Sequence, residues 1–340
     1  LRGGFTNLFA RTKFSDVFAS HPLDSIDIGS RFGLEPDLEP IAFAVNAYGF
    51  EPDPVECARL QERYSKNPAP WRSVRHMPAA VSGSGGPRTL HVPESLVSAS
   101  LLEPDEEVGK RFQNPDMFDR KQAIHLDTIT LAEACQEFDV ERPRYLKVDI
   151  EGAELEVLRG APGILQHLVA LKSEVAFIPM RKSQPLAADV DAFLYESGFR
   201  IMDWINTHNW RIGDSVAHPQ ISPGPIPYSR GQLAQCDFIY LRDPDQIFSG
   251  PDAVDRGVAA LAVSMAQGYF DYAASLLSRS GLGDYIAQEY RFDPLTSLRE
   301  ASLLYGSLIW RDAFVTHLRR IVTFGRSGWR LTRRGALKQT

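Results

Sequence analysis

Five acidic residues stand where chemistry could be done: Asp27 and Glu51 early in the chain, and Asp149, Glu151 and Glu174 in its middle. Asp149 and Glu151 close the apolar run Tyr145–Ile150, and Glu174 lies within the run Val169–Ala176. Carboxylates at a strand's carboxyl end face the binding crevice of an open α/β sheet, where one of them can take a proton from a hydroxyl. Asp149 leads as the catalytic base, with Glu151 and Glu174 next. The plainer alternative is a structural ion pair between Lys147 and Asp149, or an acidic first turn that complements a helix dipole. The same oxygens could hold Mg²⁺, but side chains two apart at a strand-to-helix junction need not converge. With no third partner evident in the sequence, no metal site is expected.

Asp27 opens a second constellation, Ser25-Ile26-Asp27-Ile28-Gly29-Ser30-Arg31-Phe32-Gly33. A short apolar strand runs into a turn that Gly29 and Gly33 punctuate, the place where nucleotide-like ligands approach backbone. Its spacing is Gly-x-x-x-Gly, whereas the dinucleotide fingerprint needs a glycine close to the pyrophosphate. A ligand with a ribose and an amino-acid end, and no phosphates, fits better, with Asp27 in reach of its ammonium. Glu51 ends the next strand, 24 positions after Asp27, where an acidic side chain accepts both ribose hydroxyls.

Elements must hold these groups in place. Short apolar runs alternate with helix-like stretches from about residue 24 to residue 242, the pattern of a largely parallel sheet flanked by helices. Strands are expected at Ser25–Ile28, Ala47–Phe50, Val74–Ala80, Thr89–Val92, Ala123–Leu126, Tyr145–Ile150, Val169–Ala176, Arg200–Trp204 and Asp237–Leu241. Helices are expected at Pro54–Ser65, Thr130–Phe138, Ala153–Arg159 and Ala187–Ser197, with Pro54 suited to a first turn and Gly198 to a C-cap. Asn206–Gln235, rich in Gly and Pro, reads as one long functional loop. Beyond it, Ala253–Arg279, Leu295–Trp310 and Ala313–Thr323 carry helical periodicity. The expected organisation is an N-terminal segment (1–23), an α/β domain (24–246) and a helical C-terminal subdomain (251–340).

Composition is that of a globular chain, 44% hydrophobic and 24% charged, which excludes wholesale disorder. The three cysteines, Cys57, Cys135 and Cys236, lie far apart and outside any metal-binding spacing, so neither a disulfide framework nor a zinc site is expected. No apolar run is long enough to span a bilayer and the N-terminus lacks a signal-peptide layout, so a soluble, cytoplasmic protein without a transmembrane segment is expected. Position 1 is Leu, so the numbering is expected to start inside a longer reading frame. Charge is uneven: residues 311–340 carry a net +7 and the remainder −13. Such a tail docks on its own acidic body, on an anionic partner or on a membrane surface. A homo-oligomer stays open, and no nucleic-acid partner is expected.

The motifs together resemble the FkbM family of S-adenosylmethionine-dependent methyltransferases. The resemblance is carried by IDIGSRFG (Ile26–Gly33), GFEPDP (Gly49–Pro54), LDTITLAEA (Leu126–Ala134), YLKVDIEGAELEVLRGA (Tyr145–Ala161), SEVAFIP (Ser173–Pro179), QPLAADVDAFLYESGF (Gln184–Phe199) and GQLAQCDFIYLRDP (Gly231–Pro244). Their order is collinear over roughly residues 24–244; residues 251–340 are not covered. The resemblance implies the class I Rossmann-like methyltransferase fold, a seven-stranded, mostly parallel sheet whose last strand is antiparallel. It further implies that Asp27, Gly29, Ser30 and Gly33 line the methionine end of the cofactor, that Glu51 holds the ribose, and that Met77–Val81, with Ala79 and Ala80, borders the adenine. Two departures stand out: Ser30-Arg31 replaces Ala-Asn or Ala-Arg, and Met180-Arg181-Lys182 stands where an aromatic residue is common.

The resemblance thereby implies an O-methyltransferase acting on a hydroxyl of a glycan, glycolipid or secondary metabolite. Arg181, His208, Trp210 and Tyr228 are the candidate acceptor-binding residues. Lys182, Arg211 and Arg230 would add a basic rim, which suggests an acidic or phosphorylated acceptor. His208 and His218 are further candidates for the base, histidine being the side chain suited to proton transfer near neutral pH, with a surface or structural role as the plainer alternative. A non-catalytic scaffold that binds the cofactor and assembles through its helical C-terminal region is the competing class. A nicotinamide-dependent oxidoreductase fails on glycine spacing.

Overall fold

The computed structural model describes residues 5–212, 230–249, 252–279 and 281–336, with the side chains of 319, 320 and 322–336 outside that description. Ten strands are found among them: β1 (Leu23–Ile28), β2 (Val45–Phe50), β3 (Ser73–Met77), β4 (Ala80–Ser82), β5 (Gly86–Pro93), β6 (Arg120–Thr130), β7 (Tyr145–Val148), β8 (Ala170–Ala176), β9 (Phe199–Trp210) and β10 (Gln232–Arg242). Seven form one sheet in the order β3-β2-β1-β7-β8-β10-β9. The pairs β1–β2, β2–β3, β1–β7 and β7–β8 are parallel, and β10 runs antiparallel to both β8 and β9. This is the seven-stranded, mostly parallel sheet with an antiparallel last strand that the resemblance implies. Strand order reverses between β1 and β7, so the carboxyl ends of those two strands open the crevice where such sheets bind ligands.

Local chemistry explains the helices that flank it. Asp53 caps Pro54–Lys66 by accepting from the N–H groups of Val55 and Glu56, and Pro54 occupies the first turn, where a missing N–H costs nothing. Thr130 and Glu133 close a reciprocal capping box on Leu131–Glu137. Gly198, at φ +87°, takes the left-handed conformation that ends Ala187–Glu196.

Three expectations need correction. The run Val74–Ala80 is broken at Pro78-Ala79: β3 stays in the large sheet, while β4 pairs with β6 in a separate three-stranded sheet, order β4-β6-β5. The expected strands at 89–92 and 123–126 belong to this second sheet, whose exposed outer positions give the weak alternation that hid its independence. Second, β9 runs on through Trp210, so His208 and Trp210 sit on a strand and not in a loop. His218 and Tyr228 lie outside the described residues. Third, the two C-terminal helical stretches beyond residue 294 form one helix, Pro294–Ala336.

Phe9, Phe14 and Phe18 of the N-terminal segment share a core with Val258, Leu261, Leu276, Ile286 and Leu298 of the C-terminal helices, against Leu23, Val45, Tyr145 and Val169 of the sheet. The other face is covered by the helices between the strands, around Ile26, Val148, Leu155 and Leu171. The three cysteines are free and buried. Arg144 and Arg256 both reach Asp252, each at 2.9 Å, and all three side chains are buried. Burial pushes the Asp252 carboxyl up, but the two guanidinium groups outweigh it and hold it below the usual carboxylate range. Removing one partner of such a buried set leaves charge uncompensated. Asp252→Ala is therefore expected to cost about 3–5 kcal/mol in equilibrium denaturant unfolding; a loss of under about 0.5 kcal/mol, the range of an ordinary surface substitution, would contradict it.

Candidate active site

The carboxyl ends of β1, β7 and β8 gather the charged groups. Register sets Asp27 opposite Lys147 and Lys147 opposite Lys172, so their side chains share one face of the sheet. Lys147, buried, donates to the Gly29 carbonyl at 2.8 Å and lies 3.2 Å from Asp27 and 3.4 Å from Asp149. Lys172, equally buried, bridges Glu35 and Asp37, each at 2.8 Å. Burial alone would discharge these ammoniums, yet the surrounding acids raise both above the ordinary lysine range.

The turn after β1 is fixed by close packing. Gly29 has φ +81°, and a Cβ there would meet the Asp149 carbonyl oxygen at 2.0 Å. Its N–H and that of Ser30 both bond the Phe50 carbonyl at 3.0 Å. Beside it opens a cavity of about 500 Å³, lined among others by Gly29, Glu51, Ala79, Ala80, Asp149 and Glu174. Glu51 is buried and accepts from the Asp53 N–H at 2.9 Å, with Arg31 3.6 Å away. Desolvation pushes its carboxyl up against the opposing pull of that N–H and of Arg31. Apolar walls come from Val81, Leu90, Val92 and Leu126 of the second sheet and from Leu96, Val97 and Leu101.

A second, polar cleft of about 440 Å³ adjoins it, lined by Glu35, Asp149, Glu174, Asn206, Thr207, His208 and Asp237. Glu35, Asp149 and Glu174 face both spaces. Burial, reinforced by Glu151, Asp149 and Glu154, raises the Glu174 carboxyl well above its ordinary value, although Gln235 donates to it at 2.7 Å. Burial likewise pushes Glu154 up to about 7, despite the N–H bonds it accepts from Gly152 and Ile150.

The structure distributes the sequence-derived candidates unevenly. Gly29, Glu51, Ala79, Ala80, Asp149, Glu151 and Glu174 line the larger cavity, and His208 lines the cleft. Asp27 sits behind the wall, engaged by Lys147 and by the Glu35 N–H at 2.9 Å. Ser30 is buried beside Gly49, and Gly33 packs toward Tyr64. Trp210 packs on Phe112 and Phe118, with ring centroids 5.7 and 5.9 Å away. Arg181 forms no rim: it is buried, pairs with Glu151 and donates to the Ser98 carbonyl at 3.2 Å. Lys182 pairs outward with Glu103 at 3.0 Å. The basic rim thus loses Arg181 to a buried partner, while Lys182 stays exposed in a surface ion pair.

The expectation that the acids lack a third partner is also overturned, since ligand oxygens of Asp149, Glu151 and Glu174 lie within 4.8 Å of one another. The convergence comes from β8 lying beside β7, which spacing along the chain does not show. Glu151 reaches the cluster at φ +63°, a conformation costly for a side chain with a Cβ and found where the surroundings enforce it. Sequence reasoning missed Glu35, Lys172, Gln235 and Asp237. Only Lys172 carried a signal, a charge two residues before Glu174 on a buried strand.

A family model described as a methyltransferase FkbM domain matches residues 27–201. The chain belongs to the FkbM methyltransferase family. Among curated relatives, the hexuronic acid methyltransferase AglP of Haloferax volcanii is 26% identical over 142 residues, 42% of this chain and 51% of that protein. The chain thus spans about half the length of the curated relative it matches. The crystal structure of an FkbM methyltransferase from Methylobacillus flagellatus aligns with a TM-score of 0.35 at 14% identity, over 65% of this chain and 44% of the other. Magnesium protoporphyrin IX methyltransferase from Synechocystis, solved with bound S-adenosylmethionine, gives 0.33 at 12% identity, over 67% and 77%. The FkbM match ends before β10, which carries Gln235 and Asp237.

The raised Glu174 carboxyl has a consequence for stability. The folded protein keeps a proton that the unfolded chain releases, so this group's contribution falls as pH climbs above the ordinary carboxylate range. Glu174→Gln removes that penalty. Its melting midpoint is expected to match the parent near pH 4 and to exceed it by about 2 °C or more at pH 9. Equal midpoints across the range would contradict the assignment.

Proposed function

We propose that the chain is an S-adenosylmethionine-dependent O-methyltransferase whose acceptor is a sugar hydroxyl in a glycan or glycolipid. The observation that carries this reading is the junction of the two spaces, where Asp149 and Glu174 face both an adenosine-sized cavity and a polar cleft.

The residues present fit the cofactor. Glu51, on the cavity wall, would accept the ribose hydroxyls, and Ala79, Ala80, Val81 and Leu101 offer an apolar slot for a base. Arg31, the cation near Glu51, is already engaged by Glu51 and Asp53, which disfavours pyrophosphate. An acidic lining suits a ligand that carries a sulfonium and an ammonium. When bound, S-adenosylmethionine supplies an electrophilic methyl group; the protein's part is to place the acceptor in line with it and to take up the acceptor's proton.

Asp149 is the base in this reading. It stands at the junction, 3.4 Å from Lys147, and would take up the proton that the acceptor hydroxyl loses when the methyl group passes to its oxygen and the thioether leaves as S-adenosylhomocysteine. Glu174, inclined to keep its proton, donates a hydrogen bond to the acceptor. The clustered carboxylates pair with vicinal hydroxyls and repel anionic acceptors. They favour a neutral sugar over the acidic or phosphorylated acceptor that a basic rim suggested, and over the hexuronic acid named for the Haloferax protein.

Titration calorimetry is expected to show binding of S-adenosylmethionine and S-adenosylhomocysteine and none of NADH. Glu51→Ala should weaken either ligand by about 10–100-fold, the loss of a charge-assisted hydrogen-bond pair. Asp149→Asn should keep S-adenosylhomocysteine affinity within a few-fold while lowering transfer to a sugar acceptor by roughly 10²–10⁴. Absence of heat with both sulfur ligands would end this reading.

A further inference from the structure

The helix Pro294–Ala336 begins inside the protein and continues outside it. Leu298 and Ala301 are buried, and Tyr305 and Leu308 pack against the same core. Beside and past them, a row of large apolar side chains faces solvent: Leu303 70%, Trp310 69%, Phe314 51%, Leu318 48% and Ile321 66% exposed. Their spacings of seven, four, four and three residues place all five on one stripe of an α-helix, on the side away from Ala301 and Tyr305. Trp310 and Phe314 stack with ring centroids 5.5 Å apart and leave a broad aromatic surface outward.

Charge is segregated on the same segment. Residues 311–340 carry eight basic residues and a single acid, Asp312. Helical positions 319, 326, 330 and 333, all arginine, fall on the side opposite 310 and 314. An aromatic stripe backed by arginines is the composition of a helix that lies in a lipid interface, its rings among acyl chains and its cations among headgroup phosphates. Among the described residues no helix is long and apolar enough to cross a membrane, so lying on the surface is the mode open to it.

We propose that this helix, by its exposed stripe and the basic stretch that follows, docks the protein on an anionic lipid surface. Charge selects this occupant over a second copy of the chain. Zipping two such helices in parallel along the stripe would bring two tails of net +7 together, whereas anionic headgroups neutralise them. The remaining −13 of the protein is repelled by the same surface, so that the tail makes the contact and the body stands off. The proposal is independent of the acceptor assignment, because none of these residues lines either cavity.

Cosedimentation of the full chain with vesicles of phosphatidylcholine and phosphatidylglycerol (3:1) tests it, with pure phosphatidylcholine as control. Partitioning at least tenfold stronger on the anionic vesicles is expected, weakened tenfold or more by 0.5 M NaCl and by Trp310→Glu combined with Phe314→Glu. S-adenosylhomocysteine binding, measured on the same samples, should be unchanged in that variant, which separates loss of docking from loss of fold. Equal partitioning on both vesicles would overturn the proposal, as would absence of binding to either. A dimer in light scattering that the double variant splits, without vesicle binding, would assign the stripe to a second copy instead.

Discussion

A buried ammonium organises this protein. Lys147 sits on β7 opposite Asp27 of β1, where the strand order reverses, and is held by the Gly29 carbonyl, Asp27 and Asp149. Stripping a lysine of water costs several kcal/mol unless acids and carbonyls replace it. The compensating groups are therefore obligatory, and each has a place in the site. Asp27 and the Gly29 carbonyl fix the turn that borders the larger cavity, and Asp149 is turned toward the junction with the cleft. Lys172 repeats the arrangement one strand over with Glu35 and Asp37, and Glu35 too reaches both spaces. Two buried lysines thus require an acid-rich lining.

That dependence explains what could be seen in the sequence. Strand, acid and glycine turn are consecutive in Ser25–Gly33, and Glu51 ends the very next strand, so the cavity's entrance was legible from local order. The parallel sheet was equally legible, because buried strands such as β7 and β8 are short and apolar between helices. The three-stranded sheet was not. Its strands β5 and β6 are largely exposed or half-buried along one another, and nothing in Val74–Ala80 except Pro78 marks the passage from one sheet to the other. Convergence across strands was hidden for a related reason: Glu174 meets Asp149 and Glu151 through neighbouring strands, a relation that register creates and sequence distance conceals.

Two basic groups show how a surface reading of charge misleads. Arg181 follows β8 in a loop-like Met-Arg-Lys run and read as a solvent-facing substrate contact, yet it is buried on Glu151. There it pairs with a carboxylate whose backbone is in the left-handed region. The arginines of the C-terminal helix have the opposite character. They follow, in the sequence, a helical stretch whose apolar stripe stays uncovered, and the proposed docking would use them on a surface.

The proposed chemistry requires that the cavity beside Gly29 hold the methyl donor with its ribose on Glu51 and its sulfur toward Asp149 and Glu174. A crystal structure of the protein grown with S-adenosylhomocysteine decides the point. The predicted result is density for the ligand with both ribose hydroxyls bonded to the Glu51 carboxylate and the thioether sulfur at the opening into the cleft lined by His208 and Asp237. Density for the ligand with its ribose away from Glu51, or with its sulfur pointing out of the cleft, would contradict it.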